Sequence, residues 1–313
     1  MKIFIQDLKN GDFITEQVFA LEEIQRHKTR SQKPYYSLVL QDKTGEILGK
    51  IWENDFPSCH LTGLENDDVV IIDAEINIFN GKLQLIIKKM DRTDDYNISD
   101  LLQTSDKNID EMESKLFTII DSVKNKHLHD LLTAVFSDKT LLNRFKRTPA
   151  GIKVHHDFVG GLLEHCIEVI DIAEPMLPYY PEADRDLVIS GVILHDIGKI
   201  IEIEVKKTAM ERTQKGKLIG HVILALDIVK KYIPKDFPET LWMKLEHIII
   251  SHQRELEFGS PVRPATIEAA LVHASDYASS YVRQFQKAIR LGEGISPGFS
   301  EYQKWIETEV FLE

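Results

Sequence analysis

Along residues 1 to 90, apolar and polar positions alternate with the period of two that puts successive side chains on opposite faces of a strand. DFITEQVFALEEIQ, PYYSLVLQD, GEILGKIWEN, DDVVIIDAEINIFN and KLQLIIKKM are rich in Val, Ile, Tyr and Phe, and the joints DKTGE and FNGK read as turns. Five strands in so short a stretch suit a small closed or partly open barrel better than a sandwich, which ordinarily needs seven or more. Residues 91 to 108, DRTDDYNISDLLQTSDKN, lose the alternation, are polar and acid-rich, and read as a linker. From residue 109 the apolar positions recur three and four apart, in LLTAVFSDKTLLNRF, GGLLEHCIEVIDIAE, RDLVISGVILHDIGKI, IGHVILALDIVKKYI, ETLWMKLEHIIISHQREL and ATIEAALVHASDYASSYVRQF. Pro175, Pro178, Pro181, Pro234 and Pro238 punctuate them. The pattern therefore predicts a multidomain chain, a small all-β barrel followed by an all-α bundle over 109 to 313.

Composition narrows the setting. A 313-residue chain with 43% hydrophobic residues can bury two ordinary cores. The start MKIFIQDLKNGD has no apolar run of signal-peptide or membrane-span length, so a soluble, unexported, cytoplasmic protein is expected, with no membrane partner. Cys59 and Cys166 lie far apart and form no CxxC pair, which speaks against a disulfide framework or zinc knuckle. The net charge of −12 argues against nonspecific coating of a duplex, although a local basic groove remains compatible with it.

Such a groove has a candidate. RHKTRSQK at 26 to 33 brings Lys28 and Arg30 close to Tyr35 and Tyr36, and cations beside aromatic rings suit single-stranded nucleic acid. A solvated hairpin loop with core tyrosines is the plain alternative. The strand order, with LVLQDKTGEILGKIWEN across the second and third strands, resembles an OB-fold of the nucleic-acid-binding kind. The resemblance implies single-strand binding over that face and its adjoining loops.

In the helical half, ionisable residues sit inside apolar runs, where they need partners. His165, His195, His221, His252 and Asp276 follow one another at intervals of 30, 26, 31 and 24 residues, with Asp196 beside His195. Each interval is about one helix plus a connection, so packed helices could converge these side chains. One such histidine is ordinarily a satisfied core residue; six ligand-type residues spread over five helices are not explained that way. Imidazoles and carboxylates without thiolates suit iron, manganese, cobalt, nickel or zinc, and not a closed structural zinc site.

GGLLEHC, LHDIGK and HASDYAS resemble the metal-binding signature of the HD-domain phosphohydrolases, and His221 in GHVILA and His252 in ISHQ match the additional histidines of members that hold two metals. An OB-fold ahead of such a domain looks like the YhaM-type 3′→5′ exoribonucleases. The resemblance implies two divalent cations, with manganese the first choice and cobalt or iron as alternatives. His165, His195, Asp196 and Asp276 would form one site, and His221 and His252 would complete the other through a bridging Asp196. It also implies hydrolysis of single-stranded RNA to mononucleotides from the 3′ end, with single-stranded DNA left open. Asp196 and Lys199 would be catalytic, Lys199 touching the scissile phosphate or orienting the nucleophile; the alternative is a lysine that snorkels to solvent.

Around this signature, His155 and His156 lie in RFKRTPAGIKVHHDFVGG near Arg144 and Arg147, and all four are candidate substrate contacts, with ordinary surface histidines as the plain reading. His273, three residues before Asp276, could orient that carboxylate or serve the core. Tyr302 and Trp305 could anchor the C-terminal segment on its own domain or a neighbour's, and a homo-oligomer enclosing a channel would suit an exonuclease. Two rival functions stay open. One is an HD hydrolase of a small nucleotide, although no GYP tripeptide follows the HD pair; the other is a nucleic-acid-binding regulator with a dead helical domain.

Overall fold

The computed structural model describes residues 2–152, 156–206, 209–292 and 298–312. The chain divides into two compact units, one of residues 1–104 with 205–210, the other of 105–204 with 211–313.

The first unit is a closed barrel in the order β1-β2-β3-β5-β4, the five-stranded arrangement of an OB-fold. Its strands are β1 (Phe13–Lys28), β2 (Pro34–Asp42), β3 (Gly45–Trp52), β4 (Asp68–Phe79) and β5 (Lys82–Arg92). β1 is long enough to pair with both β2 and β4, and it breaks register between Ile14 and Gln17 and between Leu21 and Glu23. Bulges of this kind bend a strand and let a small barrel close. Phe19, Leu21, Leu38, Leu40, Ile51, Ile72, Ile76, Leu85 and Ile87 fill the interior. β1 continues through Lys28, so the connection to β2 is shorter than the basic run that the sequence marks as a loop. After β5 comes one helical turn, α1 (Ile98–Leu101), whose N-cap Asn97 accepts from the Ser99 amide.

The second unit is helical. α2 (Ile109–Asp121), α3 (Lys126–Ser137), α4 (Lys139–Arg147), α5 (Gly161–Ala173), α6 (Arg185–Leu194), α7 (Lys199–Glu202), α8 (Gln214–Ile219), α9 (His221–Val229), α10 (Glu239–Ser251) and α11 (Ile267–Gly292) follow in order. Asp138 splits what reads as one helix over 131 to 145, because its carboxylate caps the amides of Thr140 and Leu141 and starts α4 anew. One apolar core runs through the unit, including Leu162, Val169, Val188, Val192, Ile197, Ile248 and Val272. Among the described residues there are also two short ribbons, β6 (Ile203–Val205) with β7 (Met210–Arg212) and β8 (Gly298–Phe299) with β9 (Phe311–Leu312). Strands of two or three residues are too short to leave a period in the sequence. The C-terminal segment packs on α11 through Ile306 and Val310, while Tyr302 and Trp305 stay exposed. Its apolar anchors are therefore aliphatic, and the two aromatic rings are left facing solvent. Among the described residues, no helix is long and apolar enough to cross a membrane.

Candidate metal centre

The helix ends explain how the ionisable residues meet. His195 and His252 occupy the C-cap positions of α6 and α10, and each ring turns back on its own last turn, Nδ1 to Val192 O at 2.6 Å and to Ile249 O at 2.8 Å. His221 opens α9 directly after Gly220, whose φ of 80° is open to glycine at little cost. Its Nδ1 lies 3.1 Å from Glu202 at the end of α7. His165 and Asp276 come from the interiors of α5 and α11. These two helices are stapled by Arg283, which reaches Glu164 at 3.2 Å and Glu168 at 2.9 Å.

Hydrogen bonds set the tautomer of all four rings. Carbonyl oxygens and the Glu202 carboxylate only accept, so His195, His252 and His221 donate from Nδ1. Ser279 donates to Glu168 at 3.0 Å and so offers a lone pair to His165 Nδ1 at 3.2 Å. Each Nε2 then carries a lone pair, and each points inward. His165 Nε2 lies 3.1 Å from Asp276 and 3.7 Å from Asp196 Oδ2, and His195 Nε2 lies 3.4 Å from the same Oδ2. On the other side, His221 and His252 Nε2 lie 3.4 and 3.5 Å from Asp196 Oδ1.

Lone pairs facing carboxylate oxygens repel unless a cation stands between them. His195 Nε2, His221 Nε2 and Asp196 Oδ1 are buried with no hydrogen-bond partner, which is the donor set a metal ion requires. His165, His195 and Asp276 form one group of ligand atoms within 4.8 Å of one another, and His195, Asp196 and His252 a second. The residues present thus fit divalent cations, and Asp196 turns one oxygen to each side.

Charge in the centre is tightly tied. Burial opposes ionisation of Asp196, yet Lys199 and His195 beside it hold its carboxyl well below the usual range. Asp276 is likewise depressed, burial being outweighed by His165 and His195. Burial pushes His165 and His252 down, keeping them neutral, whereas at His195 the pull of Asp196 overcomes burial and raises the ring. That pull on a proton is the pull the same carboxylate would exert on a cation. Lys199 does not snorkel: its side chain is 8% exposed, and Nζ sits 2.5 Å from Asp196 Oδ2.

The other sequence candidates separate. His156 is no surface histidine; its side chain is fully buried, 3.5 Å from Glu168 and with its ring 5.3 Å from that of His165. His155 lies outside the described residues. Arg144 and Arg147 are exposed on the last turn of α4. His273 does not orient Asp276: its Nδ1–H donates to the backbone carbonyl of His252 at 2.8 Å. In the barrel, strand alternation parts the two tyrosines. Tyr36 turns inward against Phe56, while Tyr35 lies beside His27 and Trp52 with Lys50 nearby. Lys28 and Arg30 are exposed.

Sequence reasoning passed over Glu202, Ser279, Trp52 and Lys50. Glu202 had a signal, an acid in the apolar run KIIEIEV, and Ser279 lies three residues after Asp276 on the same helix face.

The HD domain family matches residues 162–281, the span that contains all six converging ligand-type residues. The chain is 31% identical over 262 residues to the 3′-5′ exoribonuclease YhaM of Listeria welshimeri, covering 82% of each chain. It is 30% identical over 286 residues to the 3′-5′ exoribonuclease YhaM of Geobacillus sp., covering 89% of this chain and 85% of that one. Among solved structures, a domain of replication protein A from Methanococcus maripaludis covers 29% of this chain and 94% of its own, at 17% identity and a TM-score of 0.25. With relatives of that identity matched over most of both chains, and an HD domain spanning the converged histidines and aspartates, this protein belongs to the YhaM 3′-5′ exoribonuclease family.

Proposed function

We propose that this protein removes mononucleotides from the 3′ end of single-stranded RNA by metal-dependent hydrolysis of the phosphodiester bond. The observation that carries the reading is the convergence of four imidazole lone pairs on the two oxygens of Asp196 and on Asp276. His165, His195, Asp276 and Asp196 Oδ2 would hold one cation, and His221, His252 and Asp196 Oδ1 the other. Two bound divalent cations supply an activated water and a clamp on the attacking and leaving oxygens of a displacement.

The chain's own groups do the rest. The two oxygens of the Asp196 carboxylate diverge by their own geometry, and Lys199, donating to Oδ2 at 2.5 Å, fixes the rotation that turns one to each side. The same ammonium puts positive charge beside the centre, where it would offset charge growing on the nonbridging oxygens of the phosphate. Glu202, Ser279 and the carbonyls of Val192 and Ile249 hold the rings in the tautomer that leaves Nε2 basic. Arg144 and Arg147 would contact the substrate backbone. His156, closed in against Glu168, would reach a nucleotide only through movement of its loop, and in its present place it buttresses His165.

The barrel supplies grip. Tyr35, Trp52, His27 and Lys50 form a ring-and-cation face, with Lys28 and Arg30 beyond it, and a base can stack there whatever its identity. Manganese is the first choice of metal on family grounds. Metal analysis of the purified protein, followed by degradation of 3′-labelled RNA and DNA with manganese, cobalt or iron, tests the whole reading. Stepwise shortening of RNA supports it. Hydrolysis of free nucleotides alone would hand the site to a small-nucleotide hydrolase.

A further inference from the structure

In the helical unit, a cavity of about 550 Å³ opens directly off the metal centre, its wall starting at His252 and Asp276 and continuing over Tyr277, Tyr281 and Trp305. α11 repeats an aromatic ring every fourth residue there, His273, Tyr277, Tyr281 and Phe285, and four-residue spacing stacks side chains on one helix face. Successive ring centroids lie 6.0, 5.2 and 5.2 Å apart, and the Tyr277 and Tyr281 planes are within 20° of parallel. The far end of the ladder is used in packing, since Tyr281 and Phe285 carry the C-terminal segment through Ile306 and Val310. The near end is not: Tyr277 is 53% exposed and Trp305 58%.

We propose that this wall seats the 3′-terminal nucleosides of the substrate strand, with the exposed rings of Tyr277 and Trp305 as the stacking surface and the half-buried Tyr281 as its backing. The inference rests on the exonuclease reading above and names the part of the site that holds the base. A phosphate at the metal centre carries its nucleoside into whatever adjoins that centre, and what adjoins it is an aromatic wall of ligand-pocket size. The polar groups on the rim fit the same occupant. Gln284 carries both a donor and an acceptor, Gln253 keeps its carbonyl oxygen and one amide hydrogen beside its 3.0 Å contact with His252, and Ser280, which donates to Tyr277 O at 3.1 Å, offers an acceptor, so base edges of either kind can be met. Arg254 is taken up by Glu255 at 2.9 Å, and Arg263 holds the same carboxylate at 2.9 Å. The seat is therefore held by ring stacking more than by ionic attraction, which accepts all bases and responds weakly to salt.

The test uses the full chain with turnover disabled, as Asp196→Asn and, independently, as wild type stripped of metal by a chelator. The 5′-phosphorylated adenosine dinucleotide is titrated by calorimetry, and Trp305 is read by fluorescence against Trp305→Phe. The expected result is binding with quenching that Trp305→Phe removes, about tenfold weaker in Tyr277→Ala and restored in Tyr277→Phe. Affinity should change little with salt. Unaltered affinity in Tyr277→Ala, no binding by either form of the protein, or a change in oligomer size as the only effect of Tyr277→Ala each overturn the seat. Failure of the metal-loaded wild type to shorten RNA overturns the underlying reading instead, and the dinucleotide titration distinguishes that case.

Discussion

A Cβ placed on Gly198 would lie 1.9 Å from the carbonyl oxygen of His221 and 2.6 Å from the Ala225 amide nitrogen. The first turn of α9 thus rests directly on the backbone just beyond Asp196, and only hydrogen at position 198 permits it. Gly198→Ala should push α9 outward and carry His221 away from Asp196. The overpacking costs about 1–3 kcal/mol. We expect a thermal midpoint several degrees lower and, with two cations bound as proposed above, loss of one of them, read by calorimetry and metal analysis. Retention of both metals at full stoichiometry would contradict this role.

In the function proposed above, Glu202 would act on the second cation through His221, whose Nδ1 lies 3.1 Å from it. Burial opposes its ionisation, but His221 keeps its carboxyl below the ordinary range. Glu202→Gln leaves the shape and removes the charge that fixes the ring. Metal affinity should fall about 10- to 100-fold at one site and little at the other. A two-site titration with manganese separates these outcomes; equal weakening at both would argue against the assignment.

Asp196→Asn should abolish turnover while single-stranded RNA still binds, because the proposed division of labour gives the grip to the barrel. Gel-shift and degradation assays on one preparation decide it. Undiminished degradation would remove Asp196 from the chemistry, and full loss of binding would remove the division of labour.

The two adjacent tyrosines of β2 make a paired prediction. Tyr35→Ala should weaken binding of long single-stranded RNA about tenfold with little change in stability, as should Trp52→Ala. Tyr36→Ala should instead destabilise the barrel, by about 2 kcal/mol for a half-buried ring, since it packs inward on Phe56. Salt should weaken long strands far more than a dinucleotide. Identical behaviour of the two tyrosine variants would sink the proposed face.

Acid stability should depend on the α5–α11 staple. Burial would raise the Glu168 carboxyl, but His156 and Arg283 hold it below the ordinary glutamate range. A depressed native value means that this contribution is fully present above the unfolded value near 4.5 and is lost as pH falls below it. Glu168→Gln should therefore lower stability near neutral pH and flatten its decline between about pH 5 and 3. Parallel denaturation curves for both proteins across that range would refute the link.

How much of this was legible beforehand depended on length and period. β2 and β4 stand almost where their alternation puts them, because each has one face against the barrel core and eight or more residues to show it. The metal-type residues were legible for a different reason: a histidine or aspartate among Val, Ile and Leu is conspicuous. Their supports were not. Ser279 and Glu202 have no meaning until the fold puts them against a ring nitrogen. Asp138 looked like a polar position inside one helix, and only its two capping bonds reveal the break. His156 looked like a loop residue and is buried, since nothing local records that α5 and Glu168 close over it.

His195 and His252, two of the proposed ligands, stand just past the last turns of α6 and α10, which makes the length of those helices a gauge for the ion cage. One inserted residue in α10 would swing His252 by about 100° around the axis, beyond what any rotamer can undo. The same ring would then lose the carbonyl that selects its basic nitrogen. Substitutions along the body of these helices can be absorbed by repacking, whereas a single-codon insertion or deletion cannot, so the cage tolerates changes of residue type far better than changes of count.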